Sequence, residues 1–81
     1  MIMVTPESIQ LSITQGLQTE YLSVVGDDGT HFEAVVVSAA FVGKSRVQRH
    51  QMVYLTLGER MREDIHALSM KTYTPQEWLL A

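Results

Sequence analysis

The stretch HFEAVVVS, residues 31–38, decides the fold. On an extended chain Phe32, Ala34 and Val36 point one way, while Glu33, Val35 and Val37 point the other. The unbroken run Val35-Val36-Val37 marks a strand buried on both faces, as a central strand is. Such a strand needs partners, and the flanking sequence offers one on each side.

Upstream, Tyr21–Val25 is rich in aromatic and β-branched residues and forms the first strand. Gly26-Asp27-Asp28-Gly29 supplies turn residues that join it to the second. Downstream, Ser45 caps a helix over residues 45–57. On its wheel Val47, Tyr54 and Leu57 gather on one side, with Arg46 and Arg49 flanking them. His50 falls beside that apolar side, the place of a packed, hydrogen-bonded histidine. Gly58 breaks the helix, and residues 59–63 add a short further turn. Alternation returns over Ile65–Lys71 and predicts a third strand. A helical crossover between the second and third strands allows those two to run parallel.

The chain ends complete the set. Thr5-Pro6-Glu7 opens a first helix, with Thr5 as cap and proline at the first helical position. Ile9, Ile13 and Leu17 make its apolar stripe, and Gly16 marks its stop. Thr74-Pro75-Gln76-Glu77 is a capping box that starts a last helix carrying Trp78 and Leu79. The order is α-β-β-α-α-β-α, with a three-stranded mixed sheet and helices on one face. This is a two-layer α+β fold, one domain over residues 1–81.

With 81 residues the chain has a modest core and little room for a deep catalytic cleft. It has no cysteine, so it forms no disulfide and builds no metal site on its own thiolates. Met1-Ile2-Met3-Val4 is too short for a signal peptide's apolar region, and no apolar run approaches membrane-spanning length. A cytoplasmic protein with no membrane partner is expected. Nothing resembles an enzyme's machinery: there is no nucleophile–base spacing, paired-carboxylate arrangement or phosphate loop. Asp27-Asp28 and Glu63-Asp64 read as turn and helix-end residues.

Charge is unevenly spread. The net value is −3, yet residues 44–62 hold Lys44, Arg46, Arg49, Arg60 and Arg62 against Glu59 alone. Residues 1–43 hold no lysine or arginine. A solvated helix edge explains such a cluster, and so does a surface for an anionic partner.

Several motifs together carry a resemblance. They are Thr30-His31-Phe32, then FVGKSRV (41–47) with RHQMVY (49–54), then IHALS (65–69) and TPQEW (74–78). In this order they resemble the signature of the BolA family over residues 6–78. The closing KTYTPQEW looks most like the short acid-stress branch of bacterial members, the IbaG type. The resemblance implies a BolA fold similar to the class II KH domain. It also implies a non-enzymatic protein that pairs with a monothiol glutaredoxin and shares a [2Fe-2S] cluster with it, in iron–sulfur trafficking or iron and stress regulation. Some family members are instead DNA-binding transcriptional regulators of stress response and cell morphology.

Carried onto this chain, the resemblance makes His66 of IHALS a cluster ligand. The usual second ligand position falls near Asp28, a harder ligand than imidazole or thiolate, and His31 lies close by as the other candidate. The missing thiolates would come from the glutaredoxin and from glutathione as co-ligand, so the isolated chain is expected to bind no cluster. Lys44, Arg46 and Arg49 form the candidate surface for DNA or for a protein partner. Where a KH domain carries Gly-x-x-Gly, this chain reads Gly43-Lys44-Ser45-Arg46, without the second glycine. The acidic balance weakens nucleic-acid binding unless the protein forms a homo-oligomer or the basic patch is well segregated.

Overall fold

The computed structural model describes residues 4–26, 31–63 and 67–81. The first helix, α1, spans Pro6–Gly16; strands β1 and β2 span Tyr21–Val25 and His31–Val37. A short 3-10 turn at Ala39–Phe41 leads to α2 at Arg46–Leu57 and α3 at Arg60–Glu63. Strand β3 runs Ala67–Tyr73, and α4 runs Pro75–Leu80. The α+β order expected from the sequence is therefore present, with the 3-10 turn added.

Sheet order is β1-β2-β3, so β2 is central. It pairs antiparallel with β1, Tyr21 opposite Val37, and parallel with β3, His31 opposite Ala67 and Val37 opposite Tyr73. The third strand extends past the end that its alternation suggested. Its described part runs from Ala67 and continues through Thr72 and Tyr73. Thr72 and Tyr73 extend the ladder because β2 remains straight to Val37 and offers them partners. Residues 65 and 66 of the expected strand lie outside the described residues.

Helix starts follow local chemistry. Thr5 and Ser8, Ser45 and Gln48, and Thr74 and Glu77 each close a reciprocal capping box. Each box satisfies two of the backbone donors that a helix start leaves unpaired. Gly43, at φ +78°, turns the chain into the Ser45 cap, a conformation that side chains disfavour. Gly58, at φ +56°, ends α2.

The core lies between the helices and one face of the sheet. Phe32, Ala34 and Val36 of β2 meet Ile9 and Ile13 of α1 and Val53 and Leu57 of α2, all buried. Phe41 of the 3-10 turn joins them, fully buried. Arg60 ties α3 to α1: its guanidinium donates to the Ser8 carbonyl (3.1 Å), Ser12 Oγ (2.7 Å) and Ser8 Oγ (2.8 Å).

The second sheet face is covered only at one end. Val37 is fully buried there, Val35 is half-buried and Glu33 is exposed. Trp78 of α4 stacks on Tyr21 at 5.0 Å between ring centroids and tilts against Tyr73 at 5.2 Å. Those two tyrosines flank Val37 across the sheet, so one indole bridges both edge strands.

The apolar side expected for α2 needs correction. Val47 is 66% exposed and Tyr54 is 38% exposed; of the expected trio only Leu57 is buried. The inward residues are His50, Val53 and Leu57, at helical spacings of three and four, with half-buried Arg49 beside His50 and exposed Arg46 at the helix start. The helix follows this stripe because its C-terminal half alone lies over the core. We expect Val53→Ala to destabilise the fold by about 2 kcal/mol. Val47→Ala should change stability by less than about 0.5 kcal/mol. Urea unfolding of the two variants separates the assignments.

Candidate functional site

Two recesses hold His31, Arg46 and Arg49 among the residues singled out in the sequence, and a third on the outer sheet face also includes Arg46. The first lies where β2 and β3 begin. It has a volume of about 560 Å³ and is lined by Val25, Gly26, His31, Phe32, Glu33, Ala67 and Ser69. His31 is exposed and is the ladder partner of Ala67. Because the ladder is parallel, both strands enter the sheet at this end. His66, next in sequence to Ala67, and Asp28, in the connection before β2, lie outside the described residues. Gly26 closes the recess tightly: a Cβ there would come within 2.6 Å of the Phe32 ring and 2.7 Å of the His31 carbonyl. Among the described residues no group of three or more histidine, aspartate or glutamate side chains gathers into a metal site.

The second recess runs along the outer edge of β3. This groove, of about 610 Å³, lies between the N-terminal half of α2 and α4. Arg46, Arg49 and His50 form one wall, the backbone from Met70 to Tyr73 forms the floor, and Glu77 and Leu80 close the end. The stripe correction explains the wall. Arg49 and His50 continue the inward face of α2 toward the sheet edge and Arg46 stands exposed one turn earlier, so the three overhang β3.

The basic residues divide by role. Arg49 is a staple, with only 14% of its side chain exposed. Its Nε donates to the Lys44 carbonyl (3.0 Å), its two terminal nitrogens reach the Glu77 carboxylate at 2.7 and 3.4 Å, and its guanidinium lies over the Phe41 ring. Lys44 and Arg46 are exposed, and with Lys71 they are the described lysines and arginines, among those whose side chains are described, that make no ion pair or side-chain hydrogen bond. A solvated helix edge thus fails for Arg49 and stands for Lys44. Sequence reasoning missed Lys71 as a groove residue and Glu77 as Arg49's partner. Glu77 is 28 positions away, beyond any local pattern, although its capping motif was visible.

His50 differs from its expected state. It packs as anticipated, but its buried Nε2 has no hydrogen-bond partner among the described residues. Burial, and then the positive Arg46 nearby, lower its pKa. The hydrogen bonds from Arg49, and then the Thr74 backbone N–H, hold Glu77 below the ordinary glutamate range. Both folded-state values lie below their unfolded ones, so both groups favour folding at neutral pH. The His50 contribution fades as pH falls through the ordinary histidine value and below; that of Glu77 fades in stronger acid.

Titration by NMR should place the His50 midpoint below about 6.5, the ordinary histidine value. Arg46→Ala should move it upward. In Arg49→Ala the Glu77 carboxylate should titrate at higher pH than in the unaltered chain, read from its side-chain carbon shift.

The BolA-like protein family model matches residues 3–77. Protein BOLA2 of Arabidopsis thaliana is 46% identical over 80 residues, covering 94% of this chain and 85% of that protein. The acid stress protein IbaG of Escherichia coli is 42% identical over 71 residues, covering 86% and 83%. The DNA-binding transcriptional regulator BolA of the same organism is 34% identical over 85 residues, covering 94% and 81%. Among solved structures, a BolA homologue from Coxiella burnetii superposes with a TM-score of 0.80 at 47% identity, covering 95% of this chain and 99% of that one. Sequence along nearly the whole chain and backbone geometry lead to the same place: this chain belongs to the BolA family.

Proposed function

We propose that this protein acts without catalysing a reaction, by pairing with a monothiol glutaredoxin and sharing a [2Fe-2S] cluster with it. The observation that carries the proposal is the parallel pairing of His31 with Ala67. Adjacent strands lie about 4.8 Å apart, so Ala67, which His66 precedes in sequence, and the start of β2 lie side by side at one end of the sheet. His31 is exposed there beside the small side chains of Ala67 and Ser69, which leave room for an inorganic group. Neutral imidazole suits iron in such clusters, and replacing thiolate by histidine raises their reduction potential. His66 and His31 are the ligands this chain would offer, with Asp28 a harder third candidate. The chain has no cysteine, so the glutaredoxin and glutathione would supply the sulfur ligands.

A second reading has its own support. Lys44 and Arg46 lie exposed at the start of α2, where phosphate contacts are favoured. The Escherichia coli relative named above is a DNA-binding regulator. Under that reading Lys44→Ala with Arg46→Ala weakens DNA binding across sequences and flattens its salt dependence.

Anaerobic reconstitution with a monothiol glutaredoxin, glutathione, iron and sulfide tests the first reading. The expected result is a visible circular dichroism spectrum distinct from that of the glutaredoxin alone. It should be lost in His66→Ala and altered in His31→Ala. A spectrum identical to the glutaredoxin's own would overturn the proposal, and a salt-dependent DNA titration would then decide the second reading.

A further inference from the structure

The groove along β3 has a main-chain chemistry that neither function uses. β3 is an edge strand. The Ser38 N–H donates to the Tyr73 carbonyl at 3.0 Å, which turns the polar groups of Tyr73 toward β2. Within a strand these groups alternate sides, so Lys71 and Ser69 also bond β2. Met70 and Thr72 therefore turn N–H and C=O outward, into the groove. The next outward donor, Thr74 N–H, is already taken by Glu77 Oε1 at 2.8 Å, so the open edge ends there.

The groove is also charged in a particular way. Arg46 reaches over the β3 edge from α2, and both it and Lys71 line the groove and a neighbouring recess on the outer sheet face beside the exposed Glu33. Neither makes an ion pair among the described residues. The one carboxylate side chain lining the groove, Glu77, is bound by Arg49. Within the same wall, the buried His50 Nε2 has no hydrogen-bond partner among the described residues.

We propose that this groove binds an extended acidic segment of a protein partner as a fourth strand on β3. The alternating main-chain groups of a peptide match Met70 and Thr72. Its side chains point alternately to the two sides, and acidic ones on the outer side meet both Arg46 and Lys71. A second copy of this chain fits poorly, because pairing two β3 edges would bring like charges together. Nucleic acid fits less well than peptide. Its backbone lacks the donor–acceptor repeat, and the aromatic ring at this edge, Tyr73, is already packed against Trp78. The site stands apart from the cluster proposal and needs no metal, so either can fail alone.

The probe is a blocked octapeptide, Glu-Glu-Val-Val repeated twice, added to the ¹⁵N-labelled full chain without iron. Saturating peptide should slow hydrogen exchange at the Met70 and Thr72 amides by at least about tenfold. Methylating alternate peptide nitrogens should abolish binding in one phase and spare it in the other, since only one set faces β3. Arg46→Glu with Lys71→Glu should weaken binding by about tenfold or more. Unprotected Met70 and Thr72 amides would overturn the proposal. So would equal binding of both methylated series, protection of these amides by a single-stranded oligonucleotide but not by the peptide, or their protection by self-association.

Discussion

The two ladders of β2 constrain the rest of the molecule. On one side β2 pairs antiparallel with β1, which a short connection can achieve. On the other it pairs parallel with β3, and the chain must then travel back along the whole sheet before it can pair. α2 and α3 make that return on one face. The same traverse carries α2 beyond the sheet's edge, and so it determines where the basic residues finish.

One helical stripe consequently has two chemistries. Val53 and Leu57 enter the core, while Arg49 and His50 lie about one turn before Val53 and Arg46 about two, over the outer edge of β3. Arg49 uses its position to join three segments: the Phe41 ring, the Lys44 carbonyl and the Glu77 carboxylate on α4. Arg60 does comparable work between α3 and α1. Part of the basic cluster thus serves architecture, and among the described side chains the cations left for a partner are Lys44, Arg46 and Lys71.

Element order, the three helix caps and the Thr74–Glu77 capping box were legible in the sequence, because each depends on neighbours within a few positions, and the strand pairing followed from the order of elements. The reciprocal bonds of Ser8 and Gln48 were not read. Leu68 and Met70 alternate with Ser69 and Lys71 as read, and Val35–Val37 announced the central strand. The face of α2 was not legible. A wheel ranks Val47 and Tyr54 as apolar, but burial depends on which part of the helix lies over the sheet. The Arg49–Glu77 pair was hidden for a related reason: only the fold brings α2 and α4 together. For the candidate site, motifs pointed to His66, Asp28 and His31, and the described structure locates His31 at the common start of two parallel strands.

Trp78 is the chain's single tryptophan, and it rests on tyrosines from both edge strands. Its fluorescence is therefore a native reporter of whether the three strands are closed into one sheet. The reporter lies near Val37, while His31 is at the opposite end of β2, about 20 Å away along the strand. Events at the His31 end should leave the indole's emission intact, unless they loosen the sheet as a whole. The protein thus carries its own optical separation between chemistry at one end of the sheet and integrity at the other.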